Sequence, residues 1–259
     1  PFFEWQMGDE WNACIGMENS YDFYTDGYIA AAKLLSNTLL EKDNGMNDIL
    51  VLPILYNTRH GIELHLKMFR DTFQRSNMIL KINTNDHNIK SIFEQLVENI
   101  IDENFQNSLS ALKPYIDSFN NIDKDGQQFR YHKTILKKQD LKKQEITSLK
   151  GKHTNIQTIY KSLIRLEPIL LDLQNRMVAL CGEVETQTFT KKCSRADLKE
   201  IAHLLPPFKD WHNNKFKKSK NEIMNRFNLS GRDFSKACDV IKNNRELKTF
   251  IGISSNLLY

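Results

Sequence analysis

The densest set of chemically capable side chains lies in an apolar stretch: Arg59, His60, Glu63, His65 and Lys67. If that stretch is helical, Arg59 and Glu63, four residues apart, share a face. An unpaired charge inside a core helix is expensive, so this cluster demands partners. Arg130 and His132, after an acidic turn, are candidates, and so is His87. The pattern therefore calls for a polar network of Arg59, Glu63, His87 and Arg130 that ties helices together. Other chemistry lacks its motif. The chain has no G-x-x-x-x-G-K-[ST], no G-x-G-x-x-G, no H-E-x-x-H and no G-x-S-x-G. His60 and His65 are five apart, not the four that would align them on one metal. Cys14, Cys181, Cys193 and Cys238 form no C-x-x-C pair, which argues against structural zinc and a disulfide framework and for reduced thiols. No metal and no cofactor is expected.

The elements that must position these groups read as helices. Of 259 residues, 40% are hydrophobic and 26% charged, with only ten Gly and six Pro, which suits a large core and an all-α protein. Residues 1–19, with Trp5, Trp11 and Met17, read as an irregular segment. Tyr21–Leu40 has helical spacing, closed at Asp43-Asn44-Gly45. Met46–Arg75 is the strongest element, with Asp48 placed to cap it and Ile49, Leu52, Leu55, Ile62, Leu66 and Phe69 at 3–4 spacing. Further helices are predicted over 87–101, over 104–120 with a break near Pro114, and over 154–180 with a bend at Pro168 and a stop at Gly182. Asp123-Lys124-Asp125-Gly126 is a turn. Residues 133–152 are weakly patterned and suit a loop, a short hairpin or a surface helix.

Here the chain resembles a family. Residues 56–67, Tyr-Asn-Thr-Arg-His-Gly-Ile-Glu-Leu-His-Leu-Lys, are similar to the second-helix signature of HEPN-like helical domains. Asn85-Asp86-His87-Asn88-Ile89 resembles the Thr-His-Asp-Leu opening of their third helix, with Asp and His exchanged. Phe129-Arg130-Tyr131 resembles the Arg-Tyr-Pro segment that follows, with His132 in place of Pro. The resemblance covers about residues 20–180. It implies an RNA-directed protein of a prokaryotic toxin or phage-defence system, acting as a homodimer. It also implies a metal-independent ribonuclease with an Arg, four to six residues, then His. Arg59 and His65 satisfy that count, and Arg130 and His132 are the other candidates. A His would serve as base and an Arg would hold the pentacoordinate phosphate. Six residues turn a helix by roughly 600°, which places Arg59 and His65 about 120° apart.

Net charge is +4, mildly basic, but two regions concentrate it. Residues 133–152 hold seven Lys against Asp140 and Glu145, a local excess of five. Residues 209–220 hold five Lys against Asp210, an excess of four. Lys137, Lys138, Lys142, Lys143, Lys215, Lys217 and Lys218 are the candidate nucleic-acid contacts.

The tail reads as a unit of its own. Ser194 and Asp197 suggest a capping box, Pro206-Pro207 stops a helix, and helices over 216–227 and 233–243 flank a turn at Leu229-Ser230-Gly231. That form suits a helix-turn-helix, although Asp233 and Asp239 on the second helix oppose a DNA-reading role. Trp211 reads as a core anchor. The expected organisation is an irregular segment over 1–19, a HEPN-like bundle over 20–183 and a helix-turn-helix-like appendage over 185–259. No signal peptide and no apolar run of membrane length is visible, so a cytoplasmic protein with no membrane contact is expected. Two functions stand: the RNA-directed protein, enzymatic or not, and a non-catalytic module binding nucleic acid or protein.

Overall fold

The computed structural model describes residues 21–42, 45–79, 87–100, 102–130, 134–136, 144–146 and 151–254, with residues 7, 10, 13 and 149. The described chain is overwhelmingly helical. Five helices come first: α1 (Tyr21–Glu41), α2 (Asn47–Arg75), α3 (Ile89–Asn99), α4 (Glu103–Asn120) and α5 (Ile156–Glu185). Between α4 and α5 lie two three-residue strands, β1 (Thr134–Leu136) and β2 (Gln144–Ile146), paired antiparallel with Ile135 opposite Glu145. Then follow α6 (Arg195–Leu204), a single 3-10 turn at Phe208–Asp210, α7 (Asn214–Arg226), α8 (Gly231–Asn243) and the short α9 (Leu247–Phe250).

The periodicity of α2 sets the bundle. Ile62, Leu66, Phe69 and Phe73 recur every three or four residues and are fully buried. Facing them are Ile89, Ile92 and Leu96 of α3, Phe105, Leu109 and Ile116 of α4, and Leu170, Leu173 and Met177 of α5, all in one cluster. Phe105 meets Phe69 and Phe73 edge to face, with centroids 5.9 and 5.1 Å apart. A second cluster joins Ala32 and Leu39 of α1 to Ile54 of α2 and Ile159 and Leu163 of α5. Gly61, in mid-α2, permits that approach: a Cβ there would sit 2.7 Å from Ile29 Cδ1.

A separate cluster serves α6 to α9, built on Leu198, Ile201, Ile223, Phe234, Ala237, Ile241, Leu247 and Ile251. Ser194 and Ser230 each cap a helix in a reciprocal box, with Asp197 and Asp233. The two cores are joined at the end of α5, where Asn244 Nδ2 donates to Thr186 O at 2.8 Å and Arg195 N donates to Glu183 Oε1 at 3.2 Å. No helix among the described residues is long and apolar enough to cross a membrane.

Several local expectations are corrected. The helix over 104–120 is not broken at Pro114; that proline is exposed, so the carbonyl it leaves unpaired faces water. Gly182 does not stop α5. The left-handed residue is Gln187, at φ 56°, whose neighbour Thr188 donates its N–H to Glu183 O. Asp48 lies in the first turn of α2 rather than at its cap, which is Met46. Residues 134–136 and 144–146 pair as a hairpin, one of the three forms open to that segment.

The apolar contacts yield a direct test. Phe105→Ala is expected to lower unfolding free energy by roughly 3–5 kcal/mol, since its pocket is closed on all sides. Leu171→Ala, on the exposed face of α5, should change it by about 0.5 kcal/mol or less. Urea titration of both variants measures the difference; equal effects would refute this assignment of the core.

Candidate functional site: an ionic clasp across the bundle

Arg59 projects from α2 into the place where α3 begins and α4 ends. Its side chain is 3% exposed, and its donors are distributed over three parts of the chain. Nη1 donates to Glu63 Oε2 at 2.9 Å, one helical turn along α2. Nη2 donates to the backbone carbonyl of His87 at 2.8 Å and to that of Lys124 at 3.4 Å. Nε donates to the carbonyl of Asp123 at 3.0 Å. A guanidinium has five N–H groups and no acceptor, so only such a ring of oxygens makes its burial tolerable.

The carboxylates are held as tightly. Glu63 Oε1 accepts from Lys67 Nζ at 2.7 Å and from His87 Nδ1 at 2.9 Å. Burial alone pushes the Glu63 carboxyl up. The hydrogen bonds from Lys67 and His87, with the charges of Lys67 and Arg59, outweigh it and hold the group below the ordinary Glu value. Asp123 is 1% exposed. Its Oδ1 accepts from the N–H groups of Gln127 and Gln128 at 2.8 and 3.0 Å, which folds the turn after α4 back on itself. Its Oδ2 makes no hydrogen bond and faces Arg59 Nε at 3.4 Å. The two cations Arg59 and Lys67 thus balance the two carboxylates. Gly126 completes the turn at φ 72°; a Cβ there would lie 2.5 Å from Arg59 Nη1, so glycine is required twice over.

Beside this clasp runs a second layer. His60 packs edge-on against Tyr28 and stacks on Tyr56, with centroids 4.5 and 5.5 Å apart, and the Arg130 guanidinium lies 5.7 Å from the Tyr56 centroid. Burial lowers the pKa of His60. Glu63 opposes that shift, and the charges of Arg130, Lys67 and Arg59 reinforce it, so the imidazole is neutral near pH 7.

His65 faces the other way. Its Nδ1 donates to Gly61 O at 2.7 Å, and its Nε2 lies 3.3 Å from Asp26 Oδ1 of α1 and 3.4 Å from Gln174 Nε2 of α5. Arg59 and His65 therefore do not converge on one phosphate position. The 120° between them carries one toward α3 and the turn after α4, and the other toward α1 and α5. Of the expected residues, the structure brings together Arg59, Glu63 and His87, and places Arg130 on Tyr56. His132, Lys137, Lys138, Lys142 and Lys143 lie outside the described residues. Lys215, Lys217 and Lys218 are exposed on α7. Among the described residues no group of three His, Cys, Asp or Glu is placed to hold a metal ion.

Sequence reasoning passed over Asp123 and Gly126 as members of the clasp and read them only as a turn. An Asp heading a turn that ends in Gly signals a side chain folded onto its own backbone; its contact with a residue 64 positions earlier carries no local signal.

Removing one partner of a buried pair strands the other, so Arg59→Met is expected to lower stability by roughly 3–5 kcal/mol. Gly126→Ala should cost about 2 kcal/mol or more through strain and collision. The depressed pKa of Glu63 adds a pH signature. Its contribution is fully present above the unfolded carboxyl value of 4.5 and is lost as pH falls through the lower folded value. Glu63→Gln should therefore flatten the acid limb of the stability curve, measured by urea unfolding from pH 6 downward. An unchanged acid limb would show that Glu63 is not held as described. Comparison of the chain with protein-family models, with curated proteins and with solved structures finds no match in any of the three.

Proposed function

We propose that the protein binds nucleic acid through α7 and the turn that joins it to α8, as a non-catalytic module. The observation that supports this reading is the state of the charges there. Lys215, Lys217 and Lys218 are exposed, and none of them is ion-paired among the described residues. The two acids of α8 that oppose such a role are occupied locally. Asp233 Oδ2 accepts from Ser230 Oγ and Ser230 N in the capping box, which holds its carboxyl below the ordinary value. Asp239 pairs with Lys242 at 2.8 Å. On α7 itself Lys215, Lys217, Lys218 and Lys220 face one acid, Glu222, which leaves an excess of positive charge, and phosphate chains bind such surfaces by releasing counterions.

The resemblance of residues 20–180 to HEPN-like domains makes RNA the preferred polymer and a prokaryotic toxin or phage-defence system the preferred setting. A ribonuclease is the less favoured form of this reading, because every nitrogen of the Arg59 guanidinium is engaged by protein oxygens and His65 points elsewhere. A homodimer belongs to the same family expectation.

Fluorescence anisotropy with single-stranded RNA and with duplex DNA, between 50 and 200 mM salt, tests the proposal. Three phosphate contacts to a single strand imply a log–log salt slope near −2, hence roughly a fifteenfold loss of affinity over that range. Lys215→Gln/Lys217→Gln/Lys218→Gln should bring the slope close to zero while leaving the melting temperature unchanged. Salt-independent binding, or none, would refute it. Cleavage of RNA that persists in EDTA would instead establish the ribonuclease form.

A further inference from the structure

The solvent face of α5 carries an apolar seam that the nucleic-acid reading leaves unused. Ile164, Leu171 and Val178 are 43%, 55% and 66% exposed, each seven residues from the next. Single apolar residues on a surface are ordinary, but these three stand in register along one helix over about 21 Å. Pro168, Asn175 and Gly182 follow them at four residues each, so no charge interrupts the seam. α1 widens it. Ala30 shares with Leu171 the shallow hollow between α1 and α5, and Leu34, one turn beyond Ala30, is 69% exposed.

Spacing and charge identify what covers this seam. A seven-residue repeat of apolar side chains is the pattern of one helix packed along another. The charges beside the middle of the seam are satisfied within the chain. Glu167 pairs with Lys33 at 2.5 Å, and Asp172 takes Arg176 Nε at 2.7 Å and the Ser108 hydroxyl. Glu183 accepts the N–H of Arg195. The charges at the two ends are different. Lys161 and Arg165, flanking Ile164, and Glu185, seven residues beyond Val178, are exposed, and none is ion-paired among the described residues. Glu185 stands in the last turn of α5, where the helix dipole disfavours an anion, so α5 alone gives it no partner. The seam is therefore positive at one end and negative at the other.

We infer that a second copy of this chain covers the seam, α5 against α5, antiparallel about a two-fold axis at Leu171. Ile164 and Val178 are equidistant from Leu171, so that axis sets Ile164 of one copy on Val178 of the other and Leu171 on its own equivalent. Apolar surface leaves water on both sides. The same axis carries Lys161 and Arg165 of each copy toward Glu185 of the other. A parallel pair would instead set like charges side by side at both ends. The inference gives a surface to the homodimer of the proposed function, and it stands apart from nucleic-acid binding because it uses no residue of α7.

Sedimentation equilibrium over roughly 1 µM to 1 mM protein reads the association. A seam of this size belongs with small interfaces, so the dimer should dissociate with a constant of roughly 10–100 µM. Leu171→Glu sets two carboxylates against each other at the axis and should weaken the dimer roughly a hundredfold. Leu171 is exposed in the single chain, so the thermal melt of dilute protein should not change. Lys161→Glu/Arg165→Glu should weaken the dimer about tenfold at low salt, and so should Glu185→Lys. Joining all three changes in one chain exchanges the signs of the two ends and should restore the original constant. A chain that stays monomeric throughout, as when another segment of it or another protein covers the seam, overturns the inference. So does a dimer that Leu171→Glu leaves intact. Charge reversals that leave the constant unchanged, as in a parallel pair, or a triple variant no tighter than its parents, overturn it as well. Lys215→Gln/Lys217→Gln/Lys218→Gln should dimerise like the unaltered protein, so failure of either proposal leaves the other to stand on its own result.

Discussion

A guanidinium taken out of water must recover its lost hydration from protein oxygens, and the architecture of α2 to α4 follows from how Arg59 does so. Of the four oxygens around it that come from outside its own helix, two lie in the turn after α4, one at the threshold of α3, and one belongs to the Asp123 carboxylate. Satisfying them requires those segments to meet in one place. The apolar faces of the same helices, with Phe69, Phe73, Ile92 and Phe105 at their contact, bring the segments near without specifying their end geometry. Hydrophobic burial is non-directional; the clasp supplies direction. That division explains why an element so apolar tolerates the buried charges of Arg59 and Glu63.

A buried ion pair is not in itself a stabilising device, because desolvation offsets much of its attraction. The arrangement around Arg59 is consistent with a positioning role instead. Three of its hydrogen bonds go to backbone carbonyls, and those carbonyls belong to segments outside regular helix. An apolar residue of equal volume at position 59 would fill the space yet leave the carbonyls of His87 and Asp123 to find other donors. The Glu63 carboxylate extends the same logic by taking His87 and Lys67, so one carboxylate serves a helix start and a helix middle. The neutral imidazole of His60, packed between Tyr28 and Tyr56, separates this ionic layer from α1 without adding a third cation.

Much of this is written locally. The 3–4 spacing of apolar residues predicts α2 nearly to its ends, and Ser194 with Asp197 marks a helix start that the structure shows as a full capping box. Arg59 and Glu63 are four apart, so their pairing follows from helix geometry alone. Other features depend on tertiary approach. Asp123 reaches Arg59 across 64 residues, and no spacing rule connects them. Pro114 reads as a breaker because the sequence does not show which face meets water, and on the wet face a lost hydrogen bond is replaced by solvent. Gly182 reads as a stop, yet Gln187 takes the left-handed conformation because the N–H groups that close α5 come from residues 186–188. Two strands of three residues are too short to carry an alternating pattern, so the hairpin competes on equal terms with loop and helix until its pairing is seen.

The same reasoning divides the cations by task. Arg59 is nearly inaccessible and has its donors aimed at oxygens within 3.4 Å, so a phosphate arriving from solvent would have to displace bonds that hold three segments together. Lys215, Lys217 and Lys218 face the opposite situation: water, no ion pair among the described residues, and a single acid, Glu222, on their own helix. Exposed lysines are individually weak partners, but a phosphate chain engages several at once, and the gain comes from the counterions it releases rather than from any one contact. Residue type alone would rank a buried arginine first as a phosphate ligand. Accessibility reverses that order: Arg59 is sealed beneath protein oxygens, and the lysines of α7 stand in water.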